Sequence, residues 1–242
     1  MNMGIRGLAA GLIQQLTDLV YPPRCVLCGS QGFNDRDICV SCYRKLPWIE
    51  SACSQCAIPL VSGSTATLKC GQCLRQPPAF DHSTSLFRYQ DDAIKLIQQL
   101  KFNEKLVNSR LLGSLLTSAI ENGTVELPDL IVPVPLHKKR LRQRGYNQSI
   151  ELARAVSKAC HLPVDVRSVI RVRDTGAQTG LNRTRRRENM RGAFEMARAL
   201  NARHVAILDD VVTTTSTVNE LARLLKRAGV RRVDVWSIAR AV

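Results

Sequence analysis

Four C-x-x-C pairs crowd into the first third of the chain: Cys25/Cys28, Cys39/Cys42, Cys53/Cys56 and Cys70/Cys73. The gaps between them are ten, ten and thirteen residues. A C-x-x-C turn presents two thiolates to one ion, and zinc takes four soft ligands in a tetrahedron. Eight ligands in four pairs therefore make two sites. The simplest assignment is Cys25/Cys28/Cys39/Cys42 and Cys53/Cys56/Cys70/Cys73. Interleaved pairing, first with third and second with fourth, is the alternative that gaps this similar do not exclude. Disulfides would need an oxidising compartment, to which nothing in the sequence points. A redox C-x-x-C usually occurs once, beside a βαβ pattern, and not four times. An iron–sulfur cluster is chemically allowed by the same ligands; two closed sites read first as structural zinc, with no position left for water and hence no zinc chemistry. Apolar residues are too sparse between 24 and 76 to build a core alone. The metal is expected to fold this part, since structural zinc contributes roughly 10–16 kcal/mol of apparent binding free energy in finger peptides. The ninth cysteine, Cys160, ends a helical pattern by itself and reads as buried packing.

On either side of the cysteines the pattern changes. Residues 1–24 place Ile5, Leu8, Leu12, Leu16 and Leu19 at helical spacing. Gln14, Gln15 and Asp18 break the apolar stretch that a signal peptide would need, so an amphipathic N-terminal helix is expected and the cytoplasm is the default location. No run approaches the ~20 apolar residues of a membrane span. Residues 25–76 form the expected double zinc ribbon, and "QPPAF" at 76–80 reads as a stop and linker. From residue 83 to 242 strands and helices alternate, which predicts an α/β domain with a mostly parallel sheet. Helices are expected at "DDAIKLIQQLKF", "SRLLGSLLTSAIEN", "NQSIELARAVSKAC" (opened by Asn147) and "STVNELARLLKRAG". The last should bury Val218, Leu221, Ala222, Leu225 and Ala228. Strands are expected at "DLIVPVP", "PVDVRSVIRV", "HVAILDD" and "RRVDVWSIAR".

Inside that domain, "HVAILDDVVTTTST" puts two adjacent carboxylates, Asp209 and Asp210, at the end of a buried strand. Five hydroxyl residues follow, Thr213, Thr214, Thr215, Ser216 and Thr217, and then a helix begins. Ligands of parallel sheets bind beyond the carboxyl ends of the strands. A turn at a helix N-terminus offers backbone N–H groups and the positive end of a dipole to an anion. One ligand explains both halves: a sugar whose hydroxyls meet the carboxylates and whose phosphate sits in the turn. The stretch resembles the 5-phosphoribosyl 1-pyrophosphate (PRPP) motif of type I phosphoribosyltransferases. That resemblance implies that Asp209 and Asp210 hold the ribose hydroxyls and act as the catalytic pair. It also implies that Thr213–Thr217 wrap the 5′-phosphate and that Mg²⁺ accompanies PRPP. Thr215 departs from the pattern, standing where the family usually has glycine. A β-branched residue adopts positive φ poorly, so transferase activity is the expectation most exposed to this change.

The chain carries a net charge of +15, and residues 137–191 alone hold fifteen basic against four acidic residues. Such a block attracts polyanions. "VPVPLHKKRLRQRGYNQS" and "RDTGAQTGLNRTRRRENMRGAF", together with the cysteine pairs, resemble the ComF/GntX group of competence and DNA-utilisation proteins over nearly all of the chain after residue 24. By that resemblance Lys138, Lys139 and Arg140 would face pyrophosphate, and residues 175–191 would form a loop that closes over the ligand. Arg142, Arg144, Tyr146, Arg183, Arg185, Arg186, Arg187 and Arg191 are the candidate nucleic-acid contacts, Arg forks for phosphate and Tyr146 for a base. The expected function is DNA uptake or utilisation, with single-stranded DNA, PRPP or a related sugar phosphate, and a helicase or other DNA-uptake protein as partners. An active phosphoribosyltransferase and a PRPP-sensing regulator are the alternatives.

Overall fold

The computed structural model describes residues 22–60, 69–102, 107–123, 126–175 and 188–242. The N-terminal helix expected over 1–24 lies almost wholly outside the described residues. So do Arg183, Arg185, Arg186 and Arg187 in the expected closing loop. The chain divides into two compact units, Met1–Leu46 and Pro47–Val242. That division falls inside the segment read as one double ribbon, so each cysteine cluster belongs to a different unit.

In the first unit a short helix, Val40–Lys45, starts at Cys39, whose sulfur accepts from the Cys42 amide at 3.4 Å. The four cysteines enclose a metal-sized space, and Ile38 and Leu46 are the buried apolar residues beside them. So small a core needs an ion to hold it.

The second unit is built on a parallel sheet. Strands β1 (His82–Arg88), β2 (Leu130–Pro133), β5 (His204–Val212) and β6 (Arg232–Arg240) lie in the order β1-β6-β5-β2, all parallel. The continuous apolar run of β5 is buried on both faces, as a central parallel strand requires. A separate antiparallel pair, β3 (Val169–Arg171) and β4 (Phe194–Met196), stands apart from it. The stretch read as one long strand, "PVDVRSVIRV", yields only the three residues of β3; Asp165 accepts from the amides of Arg167 and Ser168 and turns the chain just before it. β1, β4 and the helix Lys138–Arg144 carry no strong periodic signal and have no counterpart among the expected elements.

Helices Asp91–Phe102, Val107–Glu121, Gln148–Cys160 and Ser216–Arg227 cover the sheet. Gly113 lets two of them approach closely: a β-carbon there would stand 2.4 Å from that of Ala155. Val218, Leu221, Ala222 and Leu225 are buried as expected, whereas Ala228 is exposed because the helix has ended one residue earlier. Cys160, expected to be buried, is half-buried at its helix's last turn. The second cysteine cluster is part of the main core. Cys53, Cys56 and Cys73 pack with Phe80, Val218, Leu221 and the sheet residues Val205, Val233 and Val235.

Candidate functional site

β2 ends at Pro133, opposite Leu208, so Asp209 and Asp210 project from β5 just beyond the end of its neighbour. The backbone still closes the edge: the Val134 amide donates to the Leu208 carbonyl at 2.9 Å. Asn147 donates from its side chain to the Val134 carbonyl at 3.0 Å and accepts from the Ser149 amide, capping the helix Gln148–Cys160. The cap brings the first helical turn to the carboxylates. Ser149 Oγ donates to Asp209 Oδ1 at 3.1 Å, and Gln148 Nε2 to Asp210 Oδ1 at 3.5 Å.

Two adjacent carboxylates in a buried place need a cation. Lys101 supplies it, with Nζ 2.5 Å from Asp210 Oδ2. Burial pushes the Asp210 carboxyl up, but the Lys101 ammonium outweighs it and holds the group below the usual range. Burial alone would lower the lysine, and the Asp210 charge keeps it raised instead. Among the described residues no cation pairs directly with Asp209, and Lys101 acts on it only from a distance. Burial, then the neighbouring Asp210 charge, push it up to about 7. The pair thus separates into a fixed anion and a group that titrates near neutrality. Lys101 carried a signal in the sequence: it sits four residues after Ile97, where a buried stripe through Ala93, Leu96 and Ile97 calls for an apolar residue.

A second cation was also missed. Arg171, half-buried in β3, extends over the Phe194 ring with its guanidinium carbon 5.6 Å from the centroid. Its pKa is lowered by burial and then by Arg140, while Asp209 and Asp174 oppose that shift, so the two arginines and Asp209 share one electrostatic neighbourhood. Strand alternation puts Arg171 on the same side as buried Val169. Arg140 and Lys139 come from the helix Lys138–Arg144, which His137 caps through the Lys139 amide. Both lie near Asp174, at 4.0 and 3.8 Å. Lys138, Lys139 and Arg140 therefore stand on one short helix, and Arg171 interacts electrostatically with both Arg140 and Asp209.

The hydroxyl-rich loop follows β5 directly. Thr215 is the N-terminal boundary of the helix Ser216–Arg227 and adopts φ 61°, the left-handed region that suits glycine. Thr214 and Ser216 share a hydroxyl–hydroxyl bond at 2.9 Å, and Thr215 Oγ1 donates to the Thr214 carbonyl at 2.6 Å. Asp209 and residues Thr213, Thr215, Ser216 and Thr217 line one small cavity, so the carboxylate and the turn do face the same space.

The remaining candidates are more dispersed. Arg142 and Arg191 are exposed. Arg144 donates to Gln148 Oε1 at 2.6 Å and so supports the residue that contacts Asp210. The Tyr146 hydroxyl donates to the Leu100 carbonyl, which ties it to the lysine-bearing helix. Beside Arg171 lies an apolar pocket of about 360 Å³, lined among others by Val132, Leu136, Leu141, Ile150 and Val169.

The cysteines resolve as the sequential assignment, Cys25/Cys28/Cys39/Cys42 and Cys53/Cys56/Cys70/Cys73, with the sulfurs of each set within 4.8 Å of one another. Sulfur–sulfur distances of 3.6 Å (Cys28–Cys39) and 3.7 Å (Cys56–Cys70) match the ~3.8 Å edge of a tetrahedron with zinc–sulfur bonds of about 2.3 Å. Burial raises the Cys56 and Cys73 thiols. Against its own burial, amide donors, that of Cys70 first, bring Cys53 down to about 7. Four crowded sulfurs of this kind become thiolates together only around a cation. Both sets fit structural zinc.

Comparison with known proteins agrees with this anatomy. The double zinc ribbon domain model matches residues 16–74. The DNA utilization protein YhgH of Escherichia coli K12 is 35% identical over 229 residues, covering 93% of this chain and 100% of that protein. Competence protein F of Haemophilus influenzae is 34% identical, covering 90% and 97%. Competence protein ComFC of Bacillus subtilis is 24% identical, covering 85% and 89%. Among solved structures, the glutamine PRPP amidotransferase of B. subtilis is 22% identical over 53% of this chain and 25% of that one, with a TM-score of 0.35, too distant to add to the family relationship. Among the described residues no helix is long and apolar enough to cross a membrane.

Proposed function

The chain belongs to the family of DNA utilization protein YhgH and competence protein F, and we propose that within it this protein handles single-stranded DNA and binds PRPP or a related sugar phosphate at Asp209, Asp210 and Thr213–Thr217. One observation carries the ligand reading. Asp209, the titrating member of a carboxylate pair whose other member Lys101 holds ionised, lines the same small cavity as a hydroxyl turn at a helix N-terminus. Ribose hydroxyls match the carboxylates, and a 5′-phosphate matches the turn. Arg140 and Arg171 favour the pyrophosphate of the same ligand, because Arg forks suit phosphate oxygens. Mg²⁺ bound with PRPP would offset pyrophosphate charge, and Asp209 and Asp210 supply hard oxygen donors next to it. The DNA reading is supported by the family and by the basic block of residues 137–191.

Calorimetric titration of the zinc-loaded protein with PRPP and Mg²⁺, with and without a short single-stranded oligonucleotide, tests it. Binding of each is expected. No heat with PRPP at millimolar concentration would remove the ligand assignment, and no oligonucleotide binding at low salt would remove the DNA role.

The apolar pocket beside Arg171 favours one second reading, a transferase that moves phosphoribose to a base or amine held there. In that case the cations would stabilise the departing pyrophosphate. Pyrophosphate release from PRPP that depends on an added acceptor would establish it.

A further inference from the structure

One buried cation touches both the hydroxyl loop and the second cysteine cluster. Arg240, near the end of β6, is 2% exposed. Its Nε donates to the Cys56 carbonyl at 2.9 Å. Its Nη1 donates to the Val212 carbonyl at 3.1 Å and to the carbonyls of Thr213 and Ala241. Cys56 is one of the four sulfurs of the second cluster, and Val212 and Thr213 lead into the loop.

The direction of the Cys56 carbonyl is set by the cysteine turn. The Ala57 amide donates to the Cys53 carbonyl at 2.9 Å, the Cys53 amide to Ile58 at 2.9 Å, and Ala57 adopts φ 53°. A peptide unit is planar and trans, so its carbonyl and its N–H point opposite ways. Val212 and Thr213 aim their carbonyls at Arg240. The amides of Thr213 and Thr214 must therefore point to the opposite side of the backbone. Amides held in this manner at the start of a helix form an anion-binding concavity.

We infer that Arg240 is a positioning residue through which the metal at Cys53/Cys56/Cys70/Cys73 sets the anion affinity of the Thr213–Thr217 loop. The ligand side of this inference rests on the phosphosugar reading; the linkage itself does not. With an ion bound, the cysteine turn holds the Cys56 carbonyl in place. Without it, nothing gathers the four sulfurs, the turn opens, and Arg240 loses an acceptor. A buried guanidinium short of an acceptor is costly. It and the loop carbonyls then rearrange together, and the amides lose their common direction. The second cysteine cluster would thus tune a site to which it contributes no ligand-binding side chain.

The test titrates four proteins, each purified with zinc, with ribose 5-phosphate by calorimetry: wild type, Arg240→Lys, Arg240→Met and Cys73→Ser, the last lacking a ligand of the second metal. Amide exchange of residues 213–217 is followed in the same samples. Lysine keeps the charge but, as a point donor, cannot span the cysteine turn and the loop. Each variant should bind at least tenfold more weakly and exchange its loop amides faster. Both Arg240 variants should keep two zinc ions per chain, which a general loss of structure would not leave intact. Combining Arg240→Lys with Cys73→Ser should cost no more affinity than the larger single effect, because both cut one link. Wild-type affinity in folded, zinc-loaded Arg240→Lys, or losses that multiply in the double variant, would overturn the inference. Should wild-type protein ignore ribose 5-phosphate, the ligand reading fails and loop exchange decides the linkage alone. Faster exchange on loss of the second metal upholds it, and unchanged exchange overturns it.

Discussion

Asp209 and Thr215 are both unfavourable as they stand, and both stand where the proposed ligand would touch the protein. The Asp209 carboxyl is pushed up to about 7 by burial and by Asp210. Its folded pKa exceeds the unfolded value of about 3.9, so the unfolded chain ionises first as pH rises. Stability is therefore fully present below about pH 4 and is lost progressively up to about pH 7. Asp209→Asn keeps the acceptor for Ser149 and removes the ionisation. It should raise the stability of the ligand-free protein by on the order of 1–2 kcal/mol at pH 8 and leave it unchanged at pH 4, as read by urea unfolding. The same change should weaken phosphosugar binding at least tenfold by calorimetry. A stabilised variant with unaltered affinity would remove Asp209 from the site. At Thr215 the left-handed φ of 61° costs a β-branched residue about 1–2 kcal/mol, part of which glycine's chain entropy offsets. Thr215→Gly is expected to add about 0.5–1 kcal/mol of stability and to raise ribose 5-phosphate affinity several-fold. Weaker binding would mean that the threonine hydroxyl itself touches the ligand. Strain and desolvation concentrated at one cavity are how binding sites commonly differ from the rest of a fold.

Among the elements, the two cysteine clusters do different work. The first belongs to the compact unit ending at Leu46, where metal substitutes for a core. The second packs its cysteines against the helix Ser216–Arg227 and the sheet. Metal analysis should return two zinc ions per chain, and zero or one would refute the two-site assignment. Cys28→Ser should leave the unfolding midpoint of the residue 47–242 unit unchanged. Cys73→Ser should lower that midpoint and destabilise the unit by about 2 kcal/mol or more, because a core contact and an ion are lost together. The helix pair at Gly113 and Ala155 has no room for a larger residue. Gly113→Val should cost about 1–3 kcal/mol by overpacking, and through the helix Gln148–Cys160 it should also disturb Ser149 at Asp209.

For the molecule as a whole, charge is the property to test. Oligonucleotide affinity should fall with salt, with a log–log slope of about −0.7 for each phosphate contacted. Reversing exposed Arg142 together with Arg185, Arg186 and Arg187 should flatten that slope and weaken binding at least tenfold at about 0.1 M salt. A slope unchanged by the reversal would place the DNA contacts elsewhere on the surface.

The sequence alone determined the features that depend on local chemistry. C-x-x-C spacing specifies metal turns whatever surrounds them. The run "HVAILDD" specifies a doubly buried strand, and Asn147 specifies a helix start. At Thr215 the family resemblance marked only that threonine stands where glycine is usual, and the fold supplied the positive φ. What the tertiary structure decided depends on residues far apart in the chain. It chose the sequential cysteine pairing over the interleaved one, since near-equal gaps carry no preference and sulfur positions do. It divided the ribbons between two units, because the apolar faces around Cys53, Cys56 and Cys73 find their partners beyond residue 200. Lys101 reached Asp210 across more than a hundred residues, and Arg240 reached Cys56 across 184. A buried charge selects its partner by the cost of having none. That cost is set by burial and distance in the folded state, and neither quantity is written in the order of the residues.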